Sequence, residues 1–166
     1  MPPSRPVACE APHARTEDLI SHILDRYHGA HRRDLAQAIG LAAQIEQTHA
    51  QREDCPHGLT DLLVLISDDL EDHQQKEEVV LFPMMLSDNA TSLVGPLMRM
   101  RLDHDDLAQQ MQSLRALTGD FSTPVDADGA WNQLYVVCAR LEADLRRHVE
   151  LENDVLFPRF LGSPAS

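Results

Sequence analysis

Basic residues are scarce in this chain. Across 166 residues, 14 Lys and Arg stand against 27 Asp and Glu, a formal charge of −13 with a pI near 4.9. That balance argues against nucleic acid or an anionic membrane as partner, since both call for basic patches. No apolar run approaches the roughly 18 residues of a membrane span, and the opening "MPPSRPVACEAPHARTED" lacks an apolar signal core. A cytoplasmic location is therefore expected. Cysteine is scarce too. Cys9, Cys55 and Cys138 are odd in number and far apart, which excludes a disulfide framework and a paired-cysteine motif. They read as a tail thiol, a loop thiol and a small core residue. Aromatics make up only 4%, with Trp131 the single tryptophan, so the core is expected to be aliphatic.

Glycine and proline gather in a few places. "REDCPHG" (52–58), "SDNATSLVGP" (87–96) and "TGDFSTPVDADG" (118–129) read as connections. Between them lie four long stretches with helical spacing and no strand-like alternation. Thr16 is placed to cap the first helix, and Pro83 and Pro158 to end or kink the second and fourth. Alternating steps of 3 and 4 trace one apolar seam per helix. The first runs Leu24, His28, His31, Leu35, Ala38, Ala42, Ile45; the second Leu59, Leu63, Ile66, Leu70, His73, Glu77, Val80. The third runs Leu93, Leu97, Met100, His104, Leu107, Met111, Leu114; the fourth Leu134, Cys138, Leu141, Leu145, His148, Glu152, Val155. Four such helices with short connections predict an all-α, antiparallel up-down-up-down four-helix bundle over 16–162, after a flexible tail over 1–15.

Polar residues recur inside these seams. "HQQKEEVVLFP" (73–83) and "HVELENDVLFP" (148–158) share a His-x3-Glu pair and a Leu-Phe-Pro ending, 75 residues apart. His28 and His104 are 76 apart, so each half of the chain contributes one lone His and one His-x3-Glu. A single seam histidine is more often a hydrogen-bonded core residue than a ligand, and one His-x3-Glu is usually an exposed pair. Two copies in register, with matching flanks, point to a shared purpose. An unpaired buried carboxylate is strongly disfavoured, and His and Glu at i and i+4 lie on one helix face. Four imidazoles and two carboxylates in one cavity suit a pair of metal ions, as in other bundle-core sites.

With Glu77 and Glu152 bridging and His28, His73, His104 and His148 capping, each ion receives four protein ligands. For iron, about two positions then remain for an oxo or hydroxo bridge and a small exogenous ligand. Calcium and magnesium prefer all-oxygen shells, and structural zinc prefers cysteine or a closed tetrahedron. The ligands alone do not separate iron from manganese. Further candidates flank the set. His31 is one turn beyond His28 and reads as channel-lining or as a partner of a ligand. Asp69 and Asp144 sit one turn before His73 and His148, and Asp103 adjoins His104 on a possible access path. A solvated face suits those three aspartates equally. His49 follows His28 by 21 residues, roughly 31 Å along a continuous helix, and is out of reach.

"RYHGAH" (26–31), "DHQQKEEVVLFP" (72–83), "LDHDDL" (102–107) and "RHVELENDVLFP" (147–158) together resemble hemerythrin-like (HHE) domains. The closest resemblance is to the di-iron domain of the Repair of Iron Centres family. It implies a hemerythrin-like bundle with the same four histidines as terminal ligands and Glu77 and Glu152 as bridges. It further implies a role in nitrosative and oxidative stress, by binding or reducing nitric oxide or by supplying iron to damaged iron–sulfur proteins. Family members usually carry a further N-terminal domain with an adjacent cysteine pair. The sequence starts about where that domain would end, and Cys9 alone does not replace it, so whatever the pair contributes is left open, including its supply by a separate protein. The alternative is a carrier or sensor that binds O2 or NO reversibly without turnover, although oxygen-carrying hemerythrins use five histidines. A metal-free interaction bundle is the third reading.

Overall fold

The computed structural model describes residues 10–87 and 92–162. Four helices and no strand are found among them. Helix α1 covers residues 16–48, as α-helix Thr16–Ile23, a π-helical segment Leu24–His28 and α-helix Gly29–Thr48. Helix α2 covers 59–85, with the π segment Glu77–Leu81 between Leu59–Lys76 and Phe82–Met85. Helix α3, Val94–Leu117, is uninterrupted. Helix α4 covers 129–160, with the π segment Leu151–Leu156 between Gly129–Glu150 and a 3-10 turn Phe157–Phe160.

Cross-helix pairs fix the antiparallel order. Between α1 and α4, Arg26 meets Asp144 and Asp34 meets Arg140; between α1 and α2, Arg32 meets Glu71 and Glu46 meets Thr60. Gln110 of α3 meets Asp69 of α2, and Arg115 of α3 meets Glu142 of α4. Helix α1 packs closely on α2 and α4, whereas α3 packs on α2 and only sparingly on α4.

The helix ends follow from local chemistry. Asp128 caps α4, its Oδ1 accepting from Trp131 N at 2.9 Å. Glu46 reaches across from α1 to the start of α2, accepting from Gly58 N at 2.6 Å and Thr60 N at 2.9 Å. Gly58 has φ of 87°, a conformation that glycine adopts without a Cβ penalty. The cap of α1 differs from expectation. Arg15 holds that position and Thr16 is the first helical residue, its Oγ1 accepting from Arg159. Helix α3 starts at Val94, inside the expected connection, because Pro96 fits a first turn that needs no N–H. Part of the expected tail is docked. Glu10 is buried and accepts from Tyr27 Oη and Arg147 Nη2, both at 2.9 Å. Residues 1–9, with Cys9, lie outside the described residues, while Cys55 and Cys138 are both buried.

The predicted seam of α3 is buried along its whole length. In α2 and α4 it slips by one residue after the glutamates. Leu81 is buried in place of Val80, which is 51% exposed, and Leu156 is buried in place of the half-buried Val155. In α1, Ile23 and Tyr27 take the core and Leu24 is only partly buried. Each slip falls in a π segment, whose wider turn adds one residue to the face count. The apolar interior consequently forms two clusters. One is built from Leu35, Ile66, Leu114 and Trp131, the other from Ile23, Phe82, Leu97 and Phe157. A layer of buried His and Glu side chains lies where the two meet in every helix.

Candidate metal centre

The polar layer draws on all four helices. His28 closes the π segment of α1, Glu77 opens that of α2, and Glu152 lies within that of α4. His73 and His148 sit one turn before their glutamates, and His104 comes from the unbroken α3. Phe82 covers the His28 ring at 6.0 Å and Phe157 the His104 ring at 5.8 Å. The repeated Leu-Phe-Pro ending thus seats an aromatic ring on the histidine of the preceding helix.

All six side chains are buried, and they form two groups that share both glutamates. His28, Glu77, His148 and Glu152 bring donor atoms within 4.8 Å of one another, and so do His73, Glu77, His104 and Glu152. Each carboxylate divides its oxygens between the groups. Glu77 Oε2 lies 3.0 Å from His28 Nε2 and Oε1 lies 2.6 Å from His73 Nε2. Glu152 Oε1 lies 2.8 Å from His148 Nε2 and Oε2 lies 3.0 Å from His104 Nε2. Several of these approaches are not hydrogen bonds. His28 Nε2, both oxygens of Glu77 and Oε2 of Glu152 are buried without a hydrogen-bond partner. Buried acceptors left unpaired carry a cost that a cation would remove. The mixed nitrogen and carboxylate donor set fits a transition metal.

Electrostatics point the same way. Burial and the neighbouring Glu152 charge push Glu77 up to about 8. Burial acts upward on Glu152 too, but His148 and His104 outweigh it and hold that carboxyl well below the usual range. Two carboxylates this close do not both ionise at neutral pH unless positive charge joins them.

The outward Nδ1 atoms are also held. His28 donates to Glu78 Oε1 at 2.7 Å and His104 to Asn153 Oδ1 at 2.9 Å. His73 is 3.4 Å from Asp103 Oδ2, and His148 is 3.1 Å from His31 Nε2. Burial, then the neighbouring His148 and His28, push His31 down to about 2, so it meets His148 as a neutral ring. His31 and Asp103 therefore touch the candidate ligands, whereas Asp69 and Asp144 do not. Asp69 accepts from Gln110 Nε2 at 2.6 Å, and Asp144 takes a two-pronged bond from Arg26. Partners on neighbouring helices take up both carboxylates, and Asp69 still borders a cavity that reaches His73 and His104. Sequence reasoning missed Glu78 and Asn153. The signal was available, since they follow the two glutamates 75 residues apart.

Two cavities reach the site. One of about 140 Å3 between α2 and α3 ends on His73 and His104 and is bordered by Asp69, Asp103, Lys76 and Arg99. One of about 240 Å3 between α3 and α4 ends on His104 and is bordered by Leu107, Met111, Leu145 and Val149. On the other side Tyr27 stacks on His148 at 5.5 Å with planes 9° apart. No helix among the described residues is long and apolar enough to cross a membrane.

The profile of the hemerythrin HHE cation binding domain matches residues 19–160. The "Iron-sulfur cluster repair protein YtfE" of Musicola paradisiaca is 40% identical over 152 residues, covering 92% of this chain and 68% of that protein. Its namesake in Dickeya chrysanthemi is 42% identical over 144 residues, covering 87% and 65%. The "Probable iron-sulfur cluster repair protein" of Haemophilus influenzae is 38% identical over 144 residues, again covering 87% and 65%. The chain spans about two thirds of the length of these relatives.

Proposed function

Because the chain belongs to the hemerythrin HHE cation-binding domain family, we propose that the polar layer holds two iron ions. His28 and His148 cap one position, His73 and His104 the other, and Glu77 and Glu152 span both. The observation that carries this reading is the division of each carboxylate's oxygens between the two histidine pairs. Bound iron would supply a redox pair and open positions for a small gaseous ligand such as NO or O2. The chain's own residues orient the donors through their Nδ1 partners, keep the carboxylates out of water and leave the His73 and His104 side approachable.

The relatives' names, which concern iron–sulfur cluster repair, support a wider role of that kind for this chain. The protein acts in the cytoplasm in the response to nitrosative or oxidative stress. It supplies iron to damaged iron–sulfur proteins, binds or reduces nitric oxide, or does both. The test is metal content and the optical spectrum of protein from iron-replete cells, compared with a Glu77→Ala/Glu152→Ala double variant. About two irons per chain, with charge-transfer bands that the double variant loses, is the expected result. A wild type that folds without metal, and whose double variant is no less stable, would remove the reading. Transfer is tested separately, by recovery of an iron–sulfur enzyme with a damaged cluster after mixing with the iron-loaded protein.

A further inference from the structure

The two histidine pairs are related by the internal repeat, yet they are held and covered differently. In the His28 and His148 half, the Glu78 carboxylate accepts from His28 Nδ1 at 2.7 Å, and the fully buried His31 backs His148 at 3.1 Å. Phe82 and Tyr27 lie over the two rings, whereas in the other pair Phe157 lies over His104 and the cavity between α2 and α3 reaches His73. In the other half, Asp103 stands off at 3.4 Å from His73 and His104 is held by the neutral amide of Asn153. An arginine lies on each carboxylate, Arg32 on Glu78 at 3.0 Å and Arg99 on Asp103 at 3.2 Å, so the contrast is one of distance and charge at Nδ1. Both cavities end on this half, and neither is lined by His28 or His148.

The sequence repeat shows where the difference arises. Glu78 corresponds to Asn153 at the 75-residue offset, and Tyr27 and His31 correspond to Asp103 and Leu107 at the 76-residue offset. A carboxylate close to Nδ1 fixes an imidazole and strengthens its Nε2 as a donor more than a neutral amide does. A ring that lines neither of these cavities has little room to swing off a ligand. A ring at the end of an open cavity has room to move and a path beside it.

Resting on the two-iron reading above, we propose that the halves are functionally inequivalent. His28 and His148 form the retained half, and His73 and His104 form the exchangeable half through which iron enters and leaves. Protein loaded anaerobically with two equivalents of ferrous iron is mixed with excess bipyridine, and the coloured complex is followed with time. Release in two phases of one iron each is expected. Asn153→Asp slows the fast phase by about ten-fold and spares the slow one, whereas Glu78→Gln speeds the slow phase by a similar factor and spares the fast one. Both changes keep side-chain shape; the wild-type time course tests whether the halves differ even where a variant fails to fold, and either folded variant assigns a phase to its half. Loss of both irons in one phase, or both variants acting on the same phase, overturns the inference and leaves the two-iron reading standing. Failure to load two irons overturns both.

Discussion

Phe157 lies flat on His104, with ring centres 5.8 Å apart and planes 5° from parallel. The phenylalanine is fully buried, so its ring both fills the apolar cluster and braces the histidine. Phe157→Ala is expected to cost about 3–5 kcal/mol of stability. It should also lower the iron retained per folded chain, read by metal analysis of the folded fraction. A variant that loses stability but keeps its full metal content would show that the ring fills space without bracing the ligand.

Glu77 should change sign with metal. In the metal-free protein its carboxyl is buried beside Glu152 and pushed up to about 8, so folding at neutral pH must protonate it, a cost that Glu77→Gln removes. A gain of about 1 kcal/mol or more is expected in denaturant unfolding without metal. With iron present the same change removes a charged arm of the site and should lower stability. Equal effects in both conditions would contradict metal binding at this carboxylate.

Glu46 ties the end of α1 to the start of α2. Burial pushes its carboxyl upward, but the hydroxyl and amide of Thr60 and the amide of Gly58 pull it below the ordinary value of 4.5. A carboxyl lowered on folding contributes stability that is complete above the unfolded value and is lost as pH falls through the folded one. Glu46→Gln is therefore expected to cost about 1 kcal/mol at pH 7. The gap from wild type should begin to close as pH falls below about 4.5 and vanish once the carboxyl is protonated in the folded state as well. Thermal melts of both proteins across that range give the answer.

Gly58 precedes that same helix at φ of 87°, with nothing within 4 Å of where a Cβ would stand. Space is not the constraint there; the backbone conformation is. Gly58→Ala should cost about 1–2 kcal/mol and Gly58→Asn less, since Asn tolerates the left-handed region. Chemical denaturation of the two variants separates conformational strain from crowding.

Much of this architecture is legible in spacing alone. Every seam residue of α3 from Leu93 to Leu114 is buried, because an unbroken α-helix obeys the 3 and 4 steps throughout. The same steps bring His28, His73, Glu77, His104, His148 and Glu152 to one layer. They fail at Val80 and Val155, where a π turn adds a residue that no periodic count contains. Asp69 and Asp144 do not touch the histidines for a different reason, although Asp69 borders the cavity that reaches His73 and His104. Which neighbour claims a carboxylate depends on the packing of a second helix, and Gln110 and Arg26 lie far away in sequence. Glu78 and Asn153 were within reach of the repeat, but residues beside a ligand attract notice only once the outward face of each histidine is known.

An α-helix advances about 100° per residue, so one extra residue re-aims everything beyond it by about that angle. The π segments of α2 and α4 sit between a histidine that must point into the polar layer and a phenylalanine that must reach a ring on another helix. They act as angular offsets between two aiming tasks on one rod. Helix α3 carries a single aimed histidine and needs none. The number of residues from His73 to Phe82, and from His148 to Phe157, therefore matters more than which apolar side chains fill the interval. A substitution there is a local repair, whereas a deletion would turn the whole end of the helix away from the rings it covers.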